Sequence, residues 1–172
     1  GPGNAQGGVE IATGASANRI GTNGDGTSDS LEANVVSANG NGVLVIVSSS
    51  NEIAGNLIGT DSSGVNPLPN TGDGIEINSS NMGGTDGNTI GGSVAKANII
   101  AFNQGHGVRV TGSSAYPQQT SILYNSIFSN DNLGITLEPG DALYGVTPND
   151  LGDGDSGSNQ LMNFPELSSA LS

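Results

Sequence analysis

The sequence predicts an all-β chain wound as a parallel β-helix, and three observations carry that expectation. A glycine followed by alternating aliphatic residues recurs five times: Gly8-Val9-Glu10-Ile11, Gly42-Val43-Leu44-Val45, Gly74-Ile75-Glu76-Ile77, Gly107-Val108-Arg109-Val110 and Gly134-Ile135-Thr136-Leu137. Successive glycines stand 34, 32, 33 and 27 residues apart. No segment carries a sustained helical period of apolar residues, so helix content should be near zero.

Each repeat holds three short strands. The alternating stretch after the glycine reads as the first, with one face buried. The second follows a polar opening residue, as Asn18-Arg19-Ile20, Asn51-Glu52-Ile53, Asn88-Thr89-Ile90 and Thr120-Ser121-Ile122. The third reads Asn34-Val35-Val36, Asn56-Leu57-Ile58, Asn98-Ile99-Ile100 and Asn125-Ser126-Ile127. A single such coil cannot bury its own inner face; stacking four to five coils of three strands builds a narrow core and pairs the backbone. Val and Ile then stack on like residues inside, while Gly and Asn are expected at corners needing left-handed backbone angles. Asn34, Asn56, Asn98 and Asn125 should form a ladder of side-chain hydrogen bonds. Asn39, Asn103 and Asn130 form a second, gapped column.

Long excursions occupy residues 21–33 and 59–73, and shorter ones 78–87, 91–97 and 111–119, all at corners where binding function usually lives. Residues 1–3 read as a cleavage scar, 4–137 as the repeats and 138–172 as a C-terminal cap over the last coil.

Composition narrows the function. Lys and Arg number 3 against 16 Asp and Glu, for a net charge of -13, so nucleic acid and anionic membrane surfaces are disfavoured partners. The absence of cysteine excludes disulfides, thiolate zinc sites and thiol catalysis. No apolar run approaches the roughly 18 residues of a membrane-spanning helix. An acidic surface rich in uncharged polar residues suits an extracellular or cell-surface setting.

The stretches Asn56 to Gly64 (NLIGTDSSG), Gly87 to Gly92 (GNTIGG) and Asn125 to Asn130 (NSIFSN) resemble the repeats of right-handed parallel β-helix domains in large bacterial secreted and surface proteins. The tail from Val146 to Asp155 and on through Pro165 resembles segments that follow such repeats. This pectate-lyase-like resemblance covers nearly the whole chain after residue 6 and implies the fold. The superfamily includes pectin and alginate enzymes, phage tailspikes and adhesins, so it implies no single activity.

Stacking at about 4.8 Å per coil turns alignment into contact. The outward column Glu10, Leu44, Glu76, Arg109, Thr136 makes Glu76 and Arg109 neighbours. The column Gly7, Asn41, Asp73, His106, Leu133 does the same for Asp73 and His106. An acid, a base and a cation on one rigid sheet could cleave a uronic-acid polysaccharide. The plainer reading is a set of ion pairs relieving carboxylate repulsion, as between Arg19 and Glu52. The lyases of this fold use several basic residues beside calcium, whereas Arg19, Lys96 and Arg109 are scattered. Inverting hydrolases need paired aspartates, and the strand columns hold none, so the sequence leans away from an enzyme.

Calcium is the better candidate ligand. Asn23, Asp25 and Asp29 fit a spacing in which alternate oxygens converge on a hard cation, and Asp150, Asp153 and Asp155 form a partial second version. The alternative is that they only make Asx turns. Phe102 and Phe128, just beyond the third-strand Ile of successive repeats, should stack on each other. Tyr116 is the candidate exposed ligand contact. The mixed outward columns exclude the regular Thr lattice of an ice-binding face. These observations favour a non-catalytic extracellular module: a spacer, or an adhesive segment binding a polysaccharide or cell-surface glycan. A polysaccharide lyase or hydrolase, and an end-to-end or trimeric fibre segment, are the alternatives to that monomeric module.

Overall fold

The computed structural model describes residues 3–79, 85–112, 119–139, 149, 151–152 and 157–162. Its strands visit three sheets in strict rotation. One sheet holds β1 (Gly7–Ile11), β4 (Asn41–Ile46), β7 (Ile75–Asn78), β10 (Val108–Gly112) and β13 (Ile135–Pro139), hydrogen-bonded in that order. The second holds β2 (Arg19–Gly21), β5 (Glu52–Ala54), β8 (Asn88–Gly91) and β11 (Thr120–Leu123); the third holds β3 (Val35–Val36), β6 (Leu57–Ile58), β9 (Ile99–Ala101) and β12 (Ser126–Phe128). Every pairing between these strands is parallel and joins a strand to its equivalent in the next repeat. This is a parallel β-helix.

The register is the one the repeat implies. Val43 pairs with Ile75 and Ile75 with Val108; Ile53 pairs with Ile90, and Ile58 with Ile100. These inward side chains are 0–1% exposed. Each contributes roughly 1.5–3 kcal/mol by leaving water. Glycine opens the first strand because the coils approach closely there. A Cβ on Gly42 would lie 2.4 Å from the Gly74 carbonyl oxygen, and one on Gly107 would lie 2.5 Å from that of Gly134.

The asparagine ladder forms, with Asn34 Nδ2 donating to Asn56 Oδ1 (2.9 Å), Asn56 to Asn98 (3.1 Å) and Asn98 to Asn125 (2.8 Å). The second column has no gap: Asn70 fills it, accepting from Asn39 (3.4 Å) and donating to Asn103 (2.8 Å), which donates to Asn130. A third ladder runs through Asn18, Asn51 and Asn88.

Two expectations change. No ladder asparagine adopts a left-handed angle; the residue before it does, at Ala17, Ser50, Gly87, Gly55, Tyr124, Ala38, Phe102 and Ser129. The physical reason is division of labour. One residue turns the corner, and the next keeps an extended backbone from which its amide reaches the adjacent coil. Where a long loop enters the corner, as at Ala33 and Ala97, the preceding residue is extended and no left-handed step is needed. Helix is also not wholly absent. A one-turn helix α1 (Asp29–Glu32) and a 3-10 turn (Val94–Lys96) lie in the excursions, and a second 3-10 turn spans Ser158–Leu161.

The last repeat strand runs past residue 137. Thr111 pairs with Glu138 and Gly112 with Pro139, so the ladder continues into what the sequence reads as tail. Among the described residues, no helix is long and apolar enough to cross a membrane.

Candidate functional site

The outer face of the five-stranded sheet carries the densest group of charged side chains. Register places Arg109 opposite Glu76 on one side and Thr136 on the other. Its Nη1 lies 3.3 Å from Glu76 Oε1 and 3.9 Å from Asp73 Oδ2, and its Nη2 lies 2.8 Å from Glu138 Oε2. Nε donates to the same Glu138 oxygen at 2.8 Å. Three carboxylates therefore surround one guanidinium. Asp73, Glu76 and Glu138 are 7%, 8% and 3% exposed, so charges this close are only weakly screened. Burial by itself would lower the Arg109 pKa, but Glu138, then Glu76 and Asp73, outweigh it and raise the value.

The carboxylates have further donors of their own. Asn41 Nδ2 donates to Glu76 Oε2 at 2.7 Å and Asn78 Nδ2 to Glu76 Oε1 at 3.0 Å. Asp73 Oδ1 accepts the backbone N–H of His106 at 2.7 Å. The Asp73–His106 neighbourhood thus exists, but through the histidine backbone rather than its ring. The ring is buried, 4% exposed, and its Nδ1 accepts the Leu133 N–H at 3.2 Å. An imidazole held this way offers no basic nitrogen on the surface at Nδ1.

Glu138 is the member that sequence reasoning missed. It stands one outward position beyond Thr136 on β13, so extending the alternation by two residues would have found it. Glu52 is similar: Arg19 Nε bonds it as expected at 3.0 Å, but Lys96 Nζ, 44 residues away, bonds its other oxygen at 2.6 Å. Burial raises the Glu52 pKa, while Lys96 and then Arg19 pull it below the ordinary value on balance.

The expected cation loop around Asn23, Asp25 and Asp29 is closed by its own donors. Asp25 accepts the Thr27 N–H and Asn23 Nδ2 on its two oxygens, at 2.7 and 2.9 Å. Asp29 accepts the Thr22 hydroxyl and the Gly26 N–H, at 2.8 and 3.1 Å. The Thr27 N–H, and then Asn23, hold the Asp25 pKa below the ordinary carboxylate range. Each oxygen thus faces an N–H or O–H of the loop rather than a common point, and no set of three acidic or histidine side chains converges for a metal among the described residues. Asp150, Asp153 and Asp155, and the candidate ligand contact Tyr116, lie outside the described residues.

Phe102 and Phe128 do meet, with ring centroids 5.6 Å apart and planes at 83°, an edge-to-face contact rather than a parallel stack. Register sets Phe128 opposite Ala101, so the rings meet from adjacent coils one position out of step, and the contact is structural.

Compared with protein-family models, with curated proteins and with solved structures, the chain gives no match in any of the three.

Proposed function

We propose that this chain is a non-catalytic, extracellular right-handed parallel β-helix module, serving as a rigid spacer or as an adhesive, carbohydrate-binding segment of a larger bacterial surface protein. The observation that carries the reading is the saturation of the one acid–base–cation constellation. Arg109 is spent on three carboxylates, and His106 is buried with Nδ1 on a backbone N–H. A general base must reach the proton it removes. Here both groups serve the stacking of adjacent coils. The net charge of -13 supports a neutral or basic glycan over a uronic-acid polymer, which this surface would repel.

Glycan-array binding, followed by incubation of each bound polysaccharide with the purified chain, tests the reading. Binding without new reducing or unsaturated ends is the expected result. Turnover of any polysaccharide that His106→Ala abolishes, with the fold retained, would overturn it.

A further inference from the structure

The ladders have a polarity. In each column the backbone N–H of one asparagine, and in most its Nδ2, donates toward the next repeat, to Oδ1 of the following asparagine. The two ends of the solenoid are consequently complementary. On the first coil, Oδ1 of Asn18 and of Asn34 accepts no bond from the described residues, and both side chains are exposed. The neighbouring column shows how such an oxygen is filled, since Asn39 Oδ1 accepts the N–H of Asn4 at 3.0 Å. Between these corners lies a depression of about 550 Å³ into which Val9, Ile20 and Val36 look. On the last coil, the backbone N–H groups of Asn125 and Asn130 meet no acceptor among the described residues, and a depression of about 450 Å³ is lined by Ile122, Ile135 and Leu137.

One position breaks the symmetry. The third column continues from Asn88 to Thr120, whose N–H donates to Asn159 Oδ1 at 2.7 Å, while Asn159 Nδ2 donates to the Thr120 carbonyl at 2.8 Å. That is the bond Asn51 gives to Asn88 Oδ1 within the helix. Asn159 is thus a counterfeit rung. It belongs to a turn, not a strand: Asn159, Gln160 and Leu161 all have left-handed angles (φ 49°, 57° and 51°), a conformation costly for residues other than glycine. Ser158 and Leu161 are buried beside it, and Ser158 Oγ donates to the Glu138 carbonyl at 2.9 Å.

We propose that the turn at residues 157–162 is a plug standing where the first coil of a second copy would dock, and that displacing it lets copies of this chain add head to tail. Asn18 of the incoming copy would take the place of Asn159 on Thr120, Asn34 would receive the N–H of Asn125, and Asn4 that of Asn130. The depression lined by Val9, Ile20 and Val36 would meet the one lined by Ile122, Ile135 and Leu137. This contact is heterologous, so it leaves a free end after each addition and grows rather than closing. The proposal is independent of glycan binding, because it uses only the backbone, the ladders and the core.

The wild-type chain and an Asn159→Ala/Leu161→Ser variant are compared by size-exclusion chromatography with light scattering across a concentration series. Wild type should remain monomeric, and the variant should rise to at least about double its mass as concentration increases. Excess wild type, whose Asn18 and Asn34 can still accept a last coil while its own last coil is plugged, should shorten the variant assemblies in proportion to the amount added. A variant that keeps its β-sheet circular dichroism but stays monomeric overturns the proposal. So does a variant whose aggregates are unaffected by wild type, or wild type that assembles equally. If the double variant loses its sheet signal, Leu161→Ala, which leaves both Thr120 hydrogen bonds in place, is read by the same criteria.

Discussion

Asn56 gives its side-chain amide to Oδ1 of Asn98 at 3.1 Å, across one turn of the solenoid, with both side chains fully buried. The backbone N–H of Asn56 bonds the same oxygen at 2.9 Å, and Asn98 Nδ2 reaches back to the Ile53 carbonyl at 2.8 Å. The Asn98 side chain therefore satisfies three polar groups of the preceding coil.

Asn98→Ala should cost about 3–5 kcal/mol, because it leaves several buried donors and acceptors unpaired at about 1–3 kcal/mol each. Asn34→Ala, at the exposed first rung of the same ladder, should cost under about 1.5 kcal/mol, since water replaces what is lost. Urea denaturation of the two variants checks the difference. Equal losses would mean that the ladder acts through corner shape and not through buried hydrogen bonds.

Thr120 interrupts the third ladder, and its Oγ1 is buried without a hydrogen-bond partner among the described residues. Thr120→Asn restores a side chain able to accept the Asn88 N–H, so we expect stabilisation of about 1 kcal/mol. A raised urea midpoint with an unchanged slope is the predicted signature; a lowered midpoint would show that the corner lacks room for the amide.

Ser129 holds a left-handed angle (φ 52°) immediately before Asn130, on the exposed corner of the last complete coil. Ser129→Gly removes the steric penalty, worth roughly 1 kcal/mol after the entropy cost of glycine is set against it. The same change at Ser126, in the strand of that coil, should instead destabilise by about 0.5–1 kcal/mol. Thermal melts of the pair should therefore move in opposite directions.

Glu52 ties Lys96 and Arg19 to one carboxylate, and its pKa lies below the usual value of 4.5. A depressed carboxylate pKa means that the folded state binds the proton less readily than the unfolded one. The contribution is therefore present above pH 4.5 and is lost as pH falls through the folded value. For a pair this open to solvent it should be under about 1 kcal/mol. Glu52→Gln should lower stability at pH 7 by that amount and converge with wild type as pH falls below the folded-state pKa, as followed by urea melts across the range.

Much of this molecule was legible in the chain because the solenoid is periodic. Once the glycines are aligned, the alternation fixes which side chains share a column, and Glu76–Arg109, Arg19–Glu52 and the Asn34 to Asn125 ladder follow from counting. The misses have a common cause. Asn70, Lys96 and Asn159 reach their partners from loops or from the tail, where no period assigns a position. Glu138 lies just beyond the last recognisable copy.

The repeat alone determined neighbourhood along the stack, since parallel register leaves no freedom in which equivalent residues meet. Direction was decided only in three dimensions. How the His106 ring is held, which N–H and O–H groups the carboxylates of Asp25 and Asp29 accept, and which residue of a corner takes the left-handed angle depend on competing donors brought together by the folded loops. Periodicity constrains backbone position, while side-chain orientation follows the nearest unsatisfied polar group, and that group is often supplied from outside the repeat.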